Sequence, residues 1–226
     1  MPDDPVKSDR QTLLIDLPAR TLIAQVADPS HNSGGGVAAG LTLAVAAASA
    51  ELVLTLASRR KSLASSRPQI QSLLDSIHAH RVSFEEAADR DVAAFTQLVE
   101  TQRSARDLKE TNPKAAHMVL QAAYVQAAQA PLDVSRDALA FMHDVEQGLE
   151  FASRFTISDL GAAAALARGA IDAALLTVDA NLAYVDDEQA DTLRTQIPEV
   201  QTEAARIADR VVETARTVIS RQPKGN

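Results

Sequence analysis

The chain has 226 residues, 46% of them hydrophobic and only 3% aromatic, and a net charge of −8. Such a length can bury a sizeable core, and a core poor in rings but rich in Ala, Leu and Val suits closely packed helices. The lack of cysteine excludes disulfides and thiolate chemistry, and the acidic balance argues against nucleic acid as the main partner, because phosphate contacts need a basic surface.

The N-terminus, Met1-Pro2-Asp3-Asp4-Pro5-Val6-Lys7, has no basic segment followed by an apolar run. It does not read as a signal peptide, and a cytoplasmic protein is expected. Residues 1–10 are expected to be disordered. Asp16-Leu17-Pro18 reads as a helix start, with Pro near the first turn, and the segment runs to about Ala27 before Asp28-Pro29 ends it. A second helix is expected from Gly36 to Leu63, with Arg59, Arg60 and Lys61 near its carbonyl end, where cations complement the dipole. Between Gly34 and Ala57 the only charge is Glu51. The Ala, Gly, Ser and Thr content there favours a buried bundle helix over a membrane span.

A third helix covers about Pro68 to Gln102. Its apolar residues, among them Ile70, Leu73, Ile77, Phe84, Ala88, Phe95 and Leu98, fall mostly at helical spacing and predict one buried face. Asn112-Pro113 opens a fourth helix reaching about Phe151, with a kink or split expected near Ala130 because Pro131 lacks an amide hydrogen. Ser158-Asp159 begins or caps a fifth, running to about Val185. A sixth spans Asp187 to Ser220, interrupted near Pro198. No β-alternation of useful length and no Gly/Ser-rich linker is present, so one all-α domain over residues 1–226, a bundle of long antiparallel helices, is the economical solution.

The glycines Gly34, Gly35 and Gly36 run directly into the second helix. Backbone without Cβ atoms lets N–H groups face a bound group closely, and the first helical turn adds partial positive charge. The plainer alternative is a flexible loop before a core helix.

Leu14-Ile15-Asp16-Leu17-Pro18, the Gly34 to Gly36 loop, Asp91-Val92-Ala93-Ala94-Phe95, Ala130-Pro131-Leu132, Ile157-Ser158-Asp159-Leu160-Gly161 and Ala180-Asn181-Leu182 follow one another along nearly the whole chain. In that order they resemble the cyclodeaminase/cyclohydrolase family, which includes the C-terminal domain of formiminotransferase-cyclodeaminase and methenyltetrahydrofolate cyclohydrolase. The resemblance implies an all-α homodimer acting on a tetrahydrofolate derivative as substrate, with no metal. It implies a lyase that closes formimino-tetrahydrofolate to methenyl-tetrahydrofolate with loss of ammonia, or a hydrolase that opens the methenyl bridge. A divergent member that binds another ligand, or serves as a noncatalytic partner subunit, is the alternative.

Residue by residue, Asp91 matches the family's Asp in its Asp-x-x-Ala-Phe segment and Asp159 the Asp of its Ser-Asp segment. Either carboxylate suits the amide and amine donors of a pterin ring. Asp159 is equally suited to capping a helix, and Asp91 to a solvated place beside Asp89 and Arg90. Arg59, Arg60 and Lys61 sit where the family carries a basic cluster, useful for an acidic glutamate tail or for pairing with the helix end. Asn181 matches an Asn that binds ligand or satisfies a backbone group. The family's Asn before Val in the fifth helix corresponds to Thr177. His31, just before the glycines, is a candidate acid or base because it titrates near neutrality. His78 and His80 are two apart and face different ways, and no metal constellation emerges.

Overall fold

The computed structural model describes residues 13–31, 34–186 and 188–221, without the side chain of Gln189. Residues 1–10, expected to be disordered, and Ser33, which precedes the glycines, lie outside the described residues. The described elements are helices and turns without a strand: α1 (Ala19–Ala27), α2 (Gly35–Ser58), α3 (Arg67–Thr111), α4 (Pro113–Gly148), α5 (Ile157–Leu182), α6 (Glu188–Arg194) and α7 (Gln196–Ser220). Short 3-10 turns at Leu14–Asp16, Pro29–His31 and Lys61–Ser66 join them.

α2, α3, α4 and α5 pack each against the next, with α5 closing back on α2, and α7 lies against α5 and α4. The reason is compositional. Ala46, Ala47 and Ala50 of α2 and Ala163, Ala164 and Ala167 of α5 are fully buried, and side chains this small let helix axes approach closely. Around that seam Leu43, Leu54, Ile70, Phe84, Leu132 and Phe141 fill the core. Ile197, Val200, Ala204, Ile207, Ala208, Val211 and Ala215 form the single buried stripe of α7, with the three- and four-residue steps of an amphipathic helix. Two helices, Gly35–Ser58 and Ile157–Leu182, are long and apolar enough to cross a membrane by composition. Both are core helices of this bundle, packed against each other and their neighbours.

Several boundaries differ from expectation. α2 ends at Ser58 and gives way to the Lys61–Ser66 turn. α3 runs nine residues past Gln102, to Thr111, because no Gly or Pro occurs before Pro113. There Asn112 accepts a hydrogen bond from the Ala115 N–H and caps α4, so that one residue reverses the chain into an antiparallel hairpin. Pro131 does not split α4, whose helix continues through it. The C-terminal break falls at Thr195, and Pro198 lies in the first turn of α7, where a missing N–H costs nothing.

Candidate functional site

A cleft of about 410 Å3 opens where the N-terminus of α2 meets α3, α4 and the C-terminal turn of α5. This volume falls in the range of small-molecule sites, about 300–1,000 Å3. Gly34, Gly35, Gly36, Asp91, Phe95, Ala127, Thr177 and Asn181 face it.

Gly36 and Asp91 are in direct contact. A methyl group built on Gly36 would overlap the Asp91 carboxylate, so glycine here lets α3 bring an acid against the first turn of α2. One turn on, a Cβ at Gly40 would come within 3.0 Å of the Ala88 backbone nitrogen. The two glycines thus seat α3 tightly on α2. The Val37 N–H donates to the Asp91 carboxylate, but burial outweighs that bond and pushes the carboxyl above the ordinary carboxylate range. A desolvated acid at a helix N-terminus, beside a cleft, is a candidate proton donor or acceptor. Its neighbours have other tasks: Asp89 accepts from the Leu14 N–H at 3.1 Å, and Arg90 pairs with Glu86 at 3.3 Å.

Asn181 is placed by Pro131. In a helix the amide of residue 131 would donate to the carbonyl of Ala127, and proline has no hydrogen to give. Asn181 Nδ2 donates to that carbonyl at 3.2 Å and to the Thr177 carbonyl at 3.0 Å. Its N–H groups are engaged by the protein, which leaves Oδ1 as the atom able to meet a ligand.

The remaining sequence candidates lie elsewhere in the chain. His31 sits in the turn after Pro29, a cleft residue, with Nδ1 3.2 Å from Asp28 Oδ2. Asp159 lies in the first turn of α5, inside a helix that begins after Thr156 without a side-chain capping bond, where a carboxylate complements the dipole. From there to Asn181 the helix rises about 33 Å, so one chain does not bring the two together. Arg59, Arg60 and Lys61 stand past the C-terminal end of α2, about 35 Å along that helix from Gly36. Arg60 Nη2 is occupied with the Phe151 carbonyl.

Phe95 and Thr177 were not expected as site residues. Phe95, expected on the buried face of α3, is 44% exposed and lines the cleft. Thr177 Oγ1 would lie 3.6 Å from a Cβ on Gly35 and donates to the Ala173 carbonyl at 3.3 Å. Their signal was periodicity: Phe95 is one turn after Asp91, and Thr177 one turn before Asn181. Among the described residues no group of three or more His, Cys, Asp or Glu is placed to hold a metal ion.

The fold is shared with a solved structure, formiminotetrahydrofolate cyclodeaminase from Thermotoga maritima. The TM-score is 0.73 at 23% identity, over 90% of this chain and 96% of that one. No curated protein matches the sequence. The family model described as formiminotransferase-cyclodeaminase matches residues 18–217, and the chain belongs to that family.

Proposed function

We propose that the protein is a folate-dependent one-carbon enzyme that forms or opens the methenyl bridge of tetrahydrofolate at the cleft beside Asp91. The observation that carries this reading is a desolvated carboxyl held against the first turn of α2, in a chain of this family. In the cyclodeaminase direction the N10 amine attacks the formimino carbon and its proton passes to the exocyclic nitrogen, giving a tetrahedral carbon bonded to N5, N10 and that nitrogen. Asp91 in its acid form donates a proton to the exocyclic nitrogen, which leaves as ammonia and yields the methenyl cation. In the cyclohydrolase direction the ionised carboxylate takes a proton from the water that adds to the methenyl carbon and returns it to the departing ring nitrogen, while the carbinol hydroxyl loses its proton to solvent as the ring opens to the formyl product. The negative form also stabilises the amidinium charge. Asn181 Oδ1 and the glycine backbone then orient the pterin, and Phe95 offers it an apolar ring face.

A second reading follows from Thr177. Its hydroxyl is turned back onto its own helix, where the family offers an amide, and this favours a member that binds a different ligand or acts as a noncatalytic partner subunit.

The working unit in this proposal is a homodimer. Val45, Leu52 and Leu56 of α2 and Leu176 of α5 are 59%, 52%, 40% and 69% exposed, an apolar face on adjacent helices that a second copy would cover. A two-fold axis crossing the middle of α2 sets each Gly34 to Gly36 end beside the partner's Arg59 to Lys61 end. Asp159 and the basic residues then approach the cleft from the other chain. A chain without cysteine needs no oxidising compartment, and we assign it to the cytoplasm.

The test is methenyl-tetrahydrofolate absorbance with purified protein at micromolar concentration. Faster hydrolysis, or faster formation from the formimino compound, is the expected result and tells lyase from hydrolase. No acceleration in either direction overturns the enzymatic reading.

A further inference from the structure

A groove of about 210 Å3 opens between α3 and α4 at the end away from the first cleft; Ser76 in its wall is about 22 Å along α3 from Asp91. The wall is mostly polar. Gln69, Ser72 and Ser76 come from α3, Asp144 and Gln147 from α4, and only Leu73 and Phe151, both buried, are apolar. Among the described residues no Lys, Arg or His lines it.

Asp144 gives the groove its character. Its side chain is 16% exposed, yet no Lys or Arg pairs with it among the described residues. His80 holds Nε2 3.7 Å from Asp144 Oδ2, beyond hydrogen-bonding distance, and spends Nδ1 on Asp137 at 2.5 Å. The other inward carboxylates of the bundle are served differently: Glu146, 18% exposed, pairs with Arg206 and Arg210, and Glu51 and Glu85 share Arg81. Ser76 Oγ donates to Asp144 Oδ2 at 2.6 Å. Oδ1 accepts from no described residue and is open to solvent at the groove. A carboxylate drawn this far out of water, without a strong partner, attracts a hydrogen-bonding cation more than an exposed one does.

We propose that this groove receives a primary ammonium group, carried by a short alkylamine or present as the free ammonium ion. The three N–H bonds of such a group call for three acceptors. Asp144 Oδ1 supplies one, and the side-chain carbonyls of Gln69 and Gln147, engaged by no other described residue, supply the others. An alkyl chain then lies on Leu73 and Phe151, where its apolar surface leaves water. The volume is below the range of about 300–1,000 Å3 typical of drug-sized ligands, which limits the amine to a few carbons. A single carboxylate suits a monovalent cation better than a divalent metal, which gathers six or more oxygen ligands. The site is separate from the cleft at Asp91 and stands without the folate reading.

The experiment follows backbone amide chemical shifts of the full chain during titration with propylammonium or ammonium chloride. Tetramethylammonium, which has the charge without an N–H, and sodium are the controls at equal ionic strength. Saturable shifts are expected around Gln69 to Ser76 and Asp144 to Phe151, with Kd of about 1–10 mM, and the controls are expected to give none. Saturation by propylammonium assigns the groove to alkylamines, and saturation by ammonium alone to the free ion. Asp144→Asn should weaken binding about tenfold or more. Ser72→Phe, which fills the groove and leaves Asp144 and its bonds in place, should abolish it, whereas Asp75→Asn, an exposed acid on α3, should retain it. The proposal is overturned by the lack of saturation with either amine, by an equal response to tetramethylammonium or sodium, or by an affinity unchanged in Asp144→Asn or in Ser72→Phe.

Discussion

The Asn181 amide donates to the carbonyl of Ala127 at 3.2 Å, the one carbonyl of α4 that Pro131 cannot engage. A proline in a helix and an asparagine about fifty residues later therefore form one device. The first creates an unsatisfied acceptor at the cleft, and the second fills it while presenting its own oxygen to the cavity. Asn181→Leu should strand a half-buried acceptor and cost about 1–3 kcal/mol, read by denaturant unfolding. Substituting Pro131→Ala in that background restores the helical hydrogen bond and should recover most of the stability but none of the ligand affinity.

Gly36→Ala should be more damaging than its size suggests. The added methyl meets the Asp91 carboxylate, so α2 and α3 must part or the acid must turn away. A loss of about 1–3 kcal/mol is expected from overpacking, with ligand binding lost at temperatures where far-ultraviolet circular dichroism still shows a folded bundle. Gly34→Ala, where a Cβ meets nothing within 4 Å, should be milder on both measures.

Asp91 makes opposite predictions for stability and for catalysis. Burial raises its folded pKa, so its favourable contribution is present below the unfolded value of about 3.9 and is lost as pH rises through the folded one. Asp91→Asn should therefore leave stability at neutral pH equal or higher, while turnover falls about a hundredfold or more. Under the proposed mechanism, cyclodeaminase turnover by the unaltered protein should fall and cyclohydrolase turnover should rise as pH climbs through that raised value. A stopped pH series on each substrate reads both limbs.

Between α3 and α4 a second polar cluster has a structural role. His80 Nδ1 lies 2.5 Å from Asp137 Oδ1 and Nε2 3.7 Å from Asp144 Oδ2, while Ser83 and Ser76 donate to the two carboxylates. The ring also packs against Phe84 and Phe141. The Asp137 hydrogen bond raises the His80 pKa, and His80, Ser83 and the nearby Arg90 hold Asp137 low against its burial. The His80 contribution is complete below about 6.5 and lost as pH rises through its raised folded value. That of Asp137 is complete above about 3.9 and lost as pH falls through its depressed one. Thermal stability should peak between those limits, and His80→Gln should cost about 1.5–3 kcal/mol there and flatten the alkaline side of the profile.

For the proposed dimer, Leu52→Glu places a charge in the middle of the exposed apolar face of α2. It should yield a monomer by light scattering without loss of helical signal. If the cleft needs the second copy, turnover falls with dimer content as protein is diluted.

Helical periodicity and breakers carry the class of the fold in the sequence alone: Asn112-Pro113 marks the α3–α4 reversal, and the three- and four-residue apolar steps mark the buried faces. These are local properties, set by the backbone and its immediate neighbours. The motifs around Gly36, Asp91 and Asn181 were likewise readable as candidates. What they do to one another was not, because contact across helices depends on packing. Only the tertiary structure puts Asp91 against Gly36, turns Phe95 from an expected core ring into a cleft wall, and sends Asp159 and Arg59 to Lys61 to the far end of the bundle. It also shows that the helix of α4 continues through Pro131, and that the Asn181 side chain, from another helix, donates to the Ala127 carbonyl that the proline cannot engage.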